Sequence, residues 1–142
     1  MNLHDLVAGA GALSEDLRTI RRDLHQHPEF GLDLPQTLAR VISEVDGLGE
    51  IFTGEGMTAA ALLIKGSKPG PTVLLRADMD ALAVIEDTGL DFASTNGYMH
   101  ACGHDVHTAS LLGTAYILQG IKDSFEGTVK LIFQPAEEKA PG

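Results

Sequence analysis

A change of hydrophobic period along the chain constrains the fold more than any other feature. Apolar residues recur at helical steps up to residue 45 and then fall into short β-branched runs from 50 to 75. Helical steps return from 104 to 118, and a last strand-like run covers 127 to 133. Leu17, Ile20 and Leu24, behind Ser14 as a candidate N-cap and the acidic pair Glu15 and Asp16, predict a helix over about 14–26. Pro28 ends it, and Leu38, Val41, Ile42 and Val45 predict a second helix that stops at Gly47. Residues 50–53, 59–64 and 72–75, each bounded by Gly or Pro, predict strands. His104 to Leu118 predicts a mostly buried helix closed by Gly120, and Gly127 to Phe133 a final strand. Helices and strands mixed in this order predict an α/β fold, a layered sheet with flanking helices.

The chain has 142 residues, the length of one domain, and no internal repeat or composition shift divides it. Twenty Asp and Glu against ten Lys and Arg leave a net charge of −10, which repels phosphate backbones and anionic membranes, so no nucleic-acid or membrane partner is expected. The apolar stretch Leu6–Leu13 follows Asp5 rather than a basic segment and makes a poor signal peptide, and no run approaches a membrane span. A lone cysteine, Cys102, excludes an intramolecular disulfide and suits a reducing compartment, with the cytoplasm as the expectation.

Three segments could carry chemistry. YMHACGHDVHTA, residues 98–109, packs His100, Cys102, His104, Asp105 and His107 into eight positions. An arbitrary histidine pair there would read as a capped helix start with satisfied imidazoles. The single glycine between Cys102 and His104 favours the opposite reading, because it lets a thiolate and an imidazole converge from a loop on one borderline-soft cation such as zinc. Gln134-Pro135-Ala136-Glu137-Glu138 places adjacent carboxylates after an apolar strand; in an extended segment they point to opposite sides, one toward a metal and one toward water as general base. The plain alternative is a solvated acidic turn. Arg76-Ala77-Asp78-Met79-Asp80 closes a strand with two aspartates on one side, able to bind or orient a metal ligand, or simply to be neutralised by Arg76.

Other signals are weaker. Gly54-Glu55-Gly56-Met57-Thr58-Ala59 fits G-x-G-x-x-A but lacks a following helix and reads as a turn. The His25-Gln26-His27 pair sits at a helix C-terminus, which favours imidazole in any case. Neither a G-x-S-x-G elbow nor a Walker A loop is present.

In this order, RRDLHQHPE, RADMDAL, MHACGHDVHTA and FQPAEE resemble the N-terminal part of M20 metallopeptidases, nearest the hippurate hydrolase and indole-acetyl-amino-acid hydrolase type. Ala83 stands where the pattern usually has Pro, and Val106 where it more often has Gly. The resemblance implies a zinc-peptidase-like catalytic domain that hydrolyses the amide of N-acyl amino acids through a metal-activated water. It implies Cys102, His104 and Glu138 as metal ligands, Glu137 as general base and Asp80 as the acid that orients the site. Two divalent ions are implied, Zn or Mn first and Co or Ni as alternatives. It also implies that 1–142 is the N-terminal part of a catalytic domain, with two further histidine ligands and a lid or dimerisation domain, through which homo-oligomers form, lying beyond Gly142. The alternatives are a dipeptidase of the same superfamily and a non-catalytic metal-binding or oligomerising fragment.

Overall fold

The computed structural model describes residues 3–139. Helices α1 (Leu3–Ala12), α2 (Ser14–Gln26) and α3 (Pro35–Val45) lead into strands β1 (Glu50–Thr53), β2 (Ala60–Lys65) and β3 (Lys68–Asp78). Helix α4 (His104–Gly120), a 3-10 turn at Lys122–Ser124 and strand β4 (Glu126–Gln134) follow. The four strands form one sheet in the order β1-β2-β4-β3. β1 with β2 and β2 with β4 are antiparallel, whereas β3 and β4 are parallel and joined through α4, the crossover that parallel strands require.

Alternation in β2 and β4 sets the core. Ala60, Leu62 and Ile64 from β2 and Leu131 and Phe133 from β4 are buried, and Ile20, Leu24, Val41, Val45, Leu112 and Ala115 from the helices close over them. On β3, three successive residues, Val73, Leu74 and Leu75, are exposed, so both faces of its middle are uncovered.

Two expectations change. Ser14 is the first residue inside α2 rather than its cap: α1 runs almost directly into α2 through Leu13, whose backbone is already helical and whose carbonyl accepts from Leu17 N–H at 2.9 Å. Helix α1 is not expected from its residues, because Gly9 and Gly11 weaken its helical propensity. β3 is also longer than 72–75, since it tolerates Pro69 and Pro71 as an edge strand with an irregularity between Lys68 and Thr72. Pairing of Asp78 with Gln134 brings the C-terminal ends of β3 and β4 together, and the long connection over 79–103 returns the chain to the same end.

Candidate functional site

Three chain segments meet at this end of the sheet. Past β3, the Asp80 side chain is fully buried and accepts the Glu137 N–H on Oδ1 and the Glu138 N–H on Oδ2, both at 3.0 Å. Its carbonyl oxygen accepts Nδ1–H of His104 at 2.9 Å. One residue therefore fixes both the acidic turn and the imidazole. A carbonyl only accepts, so Nδ1 of His104 donates and Nε2 is the ring atom turned toward the acidic groups. That nitrogen lies 3.7 Å from Asp78 Oδ1, 3.8 Å from Glu137 Oε2 and 3.7 Å from Glu138 Oε1.

Cys102 reaches the same place from the loop before α4. Gly103 has φ of 88°, in the left-handed region, while a Cβ there would meet no atom of the described residues within 4 Å, so conformation and not space demands glycine. Donor atoms of Cys102, His104 and Glu138 all lie within 4.8 Å of one another. A thiol, an imidazole nitrogen and a carboxylate at this separation form a donor set suited to a borderline-soft divalent cation. Asp78, His104 and His107 form a second group within the same limit. It shares His104, and its carboxylate is already neutralised by Arg76 from outside the group, so the first group fits a cation better.

The electrostatics agree with a site built for positive charge. The hydrogen bond with Glu138, then burial and the charges of Glu138, Glu137 and Asp78, push the Cys102 thiol above its ordinary range. A bound cation acts the other way and favours thiolate. Burial raises Asp78, but the His107 hydrogen bond and the neighbouring imidazoles outweigh it and hold the carboxyl below its usual value.

All five residues singled out from the sequence, Asp80, Cys102, His104, Glu137 and Glu138, lie in this cluster, but two local arguments change. Glu137 and Glu138 do not diverge as in a strand: β4 ends at Gln134, Ala136 takes a left-handed φ of 56°, and both carboxylates turn toward the same His104 nitrogen. Asp78 and Asp80 divide the two roles weighed for them, the first pairing with Arg76 and the second organising the turn. The His25-x-His27 pair does not converge on one point, because His25 is buried against Asp105 while His27 is exposed against Asp23. Residues 54–59 form the turn between β1 and β2.

His100 was not separated from its neighbours by sequence. It is 4% exposed and neither ring nitrogen has a hydrogen-bond partner among the described residues. Burial pushes its pKa down to about 4, against the pull of Asp105 and Asp80 and with the help of His25 and His104. The unfolded chain, titrating near ~6.5, takes up a proton that the native state refuses, so stability falls as pH drops from about 6.5 toward 4. His100→Gln is expected to flatten this part of the stability curve, by up to ~3 kcal/mol, in urea unfolding measured from pH 7 to pH 4. An unchanged slope would contradict the assignment.

A family model described as Peptidase family M20/M25/M40 matches residues 74–142, the stretch that contains Asp80, Cys102, His104, Glu137 and Glu138. The chain belongs to this family. Among the relatives of this chain, Thermostable carboxypeptidase 1 of Saccharolobus solfataricus is 52% identical over 84% of this chain and 31% of its own length. N-acetylcysteine deacetylase of Bacillus subtilis is 44% identical over 89% of this chain and 34% of its own. The crystal structure of the Bacillus subtilis YXEP protein, described as a dinuclear metal-binding peptidase of family M20, superposes with a TM-score of 0.87 at 43% identity, covering 93% of this chain and 38% of that one. The chain thus spans about a third of the length of the curated relatives it matches. No helix among the described residues is long and apolar enough to cross a membrane.

Proposed function

We propose that this chain supplies the N-terminal part of the catalytic domain of a metal-dependent amidohydrolase, which cleaves the amide of an N-acyl amino acid to a carboxylic acid and a free amino acid. The observation that carries the reading is the meeting of Cys102, His104 and Glu138 donors within 4.8 Å, with the Glu137 carboxylate 3.8 Å from the same imidazole nitrogen. The names of two relatives, a carboxypeptidase and an N-acetylcysteine deacetylase, both describe hydrolysis of an amide whose nitrogen belongs to an amino acid.

Cys102, His104 and Glu138 would hold the first of two divalent ions, with zinc favoured by thiolate and imidazole and manganese, cobalt or nickel as the alternatives. When bound, the metals supply Lewis acidity, which polarises an amide carbonyl and makes water more acidic. The residues of the chain do the rest. Glu137 is partly exposed and ends beside the ligand cluster, where it takes the proton of the attacking water and returns it to the leaving amine. Asp80 holds Glu137 and Glu138 by their backbone and His104 by its ring, so base and ligands share one support.

Within this reading the acyl group is of the hippurate type, the protein acts in the cytoplasm as suits a cysteine kept as a ligand, and subunits associate through a further domain. The carboxypeptidase relative favours a second reading, in which the substrate is a dipeptide. A panel of N-acetyl, N-benzoyl and indole-acetyl amino acids against dipeptides, assayed with added Zn or Mn, separates the two. Turnover of N-acyl amino acids alone is expected, and turnover confined to dipeptides would contradict the first reading.

A further inference from the structure

Behind the ligand loop lies a buried polar cluster that the proposed chemistry does not use. Asp105, next in sequence to His104, is fully buried. Its Oδ1 accepts the Val106 N–H at 2.9 Å, and its Oδ2 lies 2.7 Å from both His25 Nδ1 on α2 and Arg21 Nε. A carboxylate only accepts, so His25 donates through Nδ1. The other face of the same ring, Nε2, lies 3.1 Å from Glu86 Oε1 in the loop between β3 and α4. Glu86 in turn accepts from Ser94 N–H at 2.7 Å and from the Thr88 hydroxyl at 2.5 Å. Phe92 from this loop packs edge-on against His25, and Arg21 and Arg22 lie over its ring.

Ionic groups taken out of water cost more than a packed apolar cluster of the same volume, so their presence here needs a reason. The connectivity supplies one. The loop leaves the site after Asp80 and re-enters it at His100, its ends clamped by paired backbone hydrogen bonds between Leu82 and Met99 at 2.9 and 3.0 Å. The middle of the loop has no regular strand or helix to hold it. Glu86 and His25 tie that middle to α2, and His25 and Asp105 tie α2 to the turn that bears His104.

We infer that His25 is a positioning residue for the metal-ligand loop, joining Glu86 to Asp105 and so fixing where Cys102 and His104 present their donors. The inference rests on the proposed ligand set. Its role is to lower the cost of organising the site when a cation binds, which is distinct from holding the fold together.

Titration of the 142-residue chain with Co(II) tests it, read by the dissociation constant and by the thiolate-to-cobalt absorption band. His25→Ala is expected to weaken binding about 10–100-fold and to change that band. Asp105→Asn, which keeps the size and an oxygen for Val106 N–H, is expected to weaken binding in the same direction if His25→Ala does not fold. Leu62→Ala removes a buried side chain from β2 and is expected to lower the unfolding midpoint with unchanged Co(II) affinity. A folded His25→Ala or Asp105→Asn protein with the parent affinity and band overturns the inference and leaves the ligand set standing. Equal loss of affinity in Leu62→Ala also overturns it, by reducing the effect to stability. Co(II) binding by the unsubstituted chain without a thiolate band overturns Cys102 as a ligand, and the affinity comparison then decides the role of His25 toward His104. Absence of Co(II) binding overturns both.

Discussion

Glu137→Gln is expected to lower kcat for amide hydrolysis about 10²–10⁴-fold in the metal-loaded, active protein, with metal content and fold unchanged. The substitution keeps the shape of the side chain and its backbone hydrogen bond to Asp80, and removes only the ability to take up a proton. Under the proposed ligand set Glu138, one residue on, cannot replace it, because its carboxylate would hold the cation together with Cys102 and His104. The loss should appear in kcat and in kcat/KM alike, because the proton moves only on the way to the transition state. Steady-state kinetics beside a metal assay check this, and ordinary turnover by Glu137→Gln would remove Glu137 as the base.

Asp80→Asn is expected to weaken metal binding about 10–100-fold and to cost about 1–3 kcal/mol of stability. The Asp80 carboxylate accepts one backbone N–H on each oxygen, at 3.0 Å in both cases. Asparagine offers a single acceptor oxygen, so one of the two amides must face an NH₂ donor in a buried setting. The acidic turn then loses half of its anchor, with Ala136 already in a left-handed conformation. The carbonyl contact to His104 belongs to the backbone and survives, so the loss should fall mainly on Glu138 and Glu137. Metal titration and denaturant unfolding of the same preparation measure the two effects; parent values in both would contradict the support assigned to Asp80.

The helices and strands that pack the core were legible because their periods are clean: α2, α3, α4, β2 and β4 follow the apolar spacing within a residue or two at most ends. What was hidden depended on partners distant in sequence. The length of β3 follows from its pairing with β4, which overrides the prolines at its start. The Glu137 and Glu138 directions follow from Asp80, more than fifty residues earlier, and from the φ of Ala136, a residue whose type gives no hint of a left-handed turn. Cys102 and His104 could be paired from spacing alone because Gly103 lies between them and the loop is local. The Arg21, His25, Glu86 and Asp105 cluster had no such local signature, since its members come from α2, a loop and α4.

The proposed binding of a divalent cation by Cys102, His104 and Glu138 can be read from X-ray absorption at the zinc edge of the zinc-loaded protein. One sulfur scatterer is expected at about 2.3 Å beside nitrogen and oxygen scatterers at about 2.0–2.2 Å, with the sulfur lost in Cys102→Ser. A zinc-loaded protein whose first shell holds only nitrogen and oxygen, or whose sulfur persists in Cys102→Ser, would contradict it.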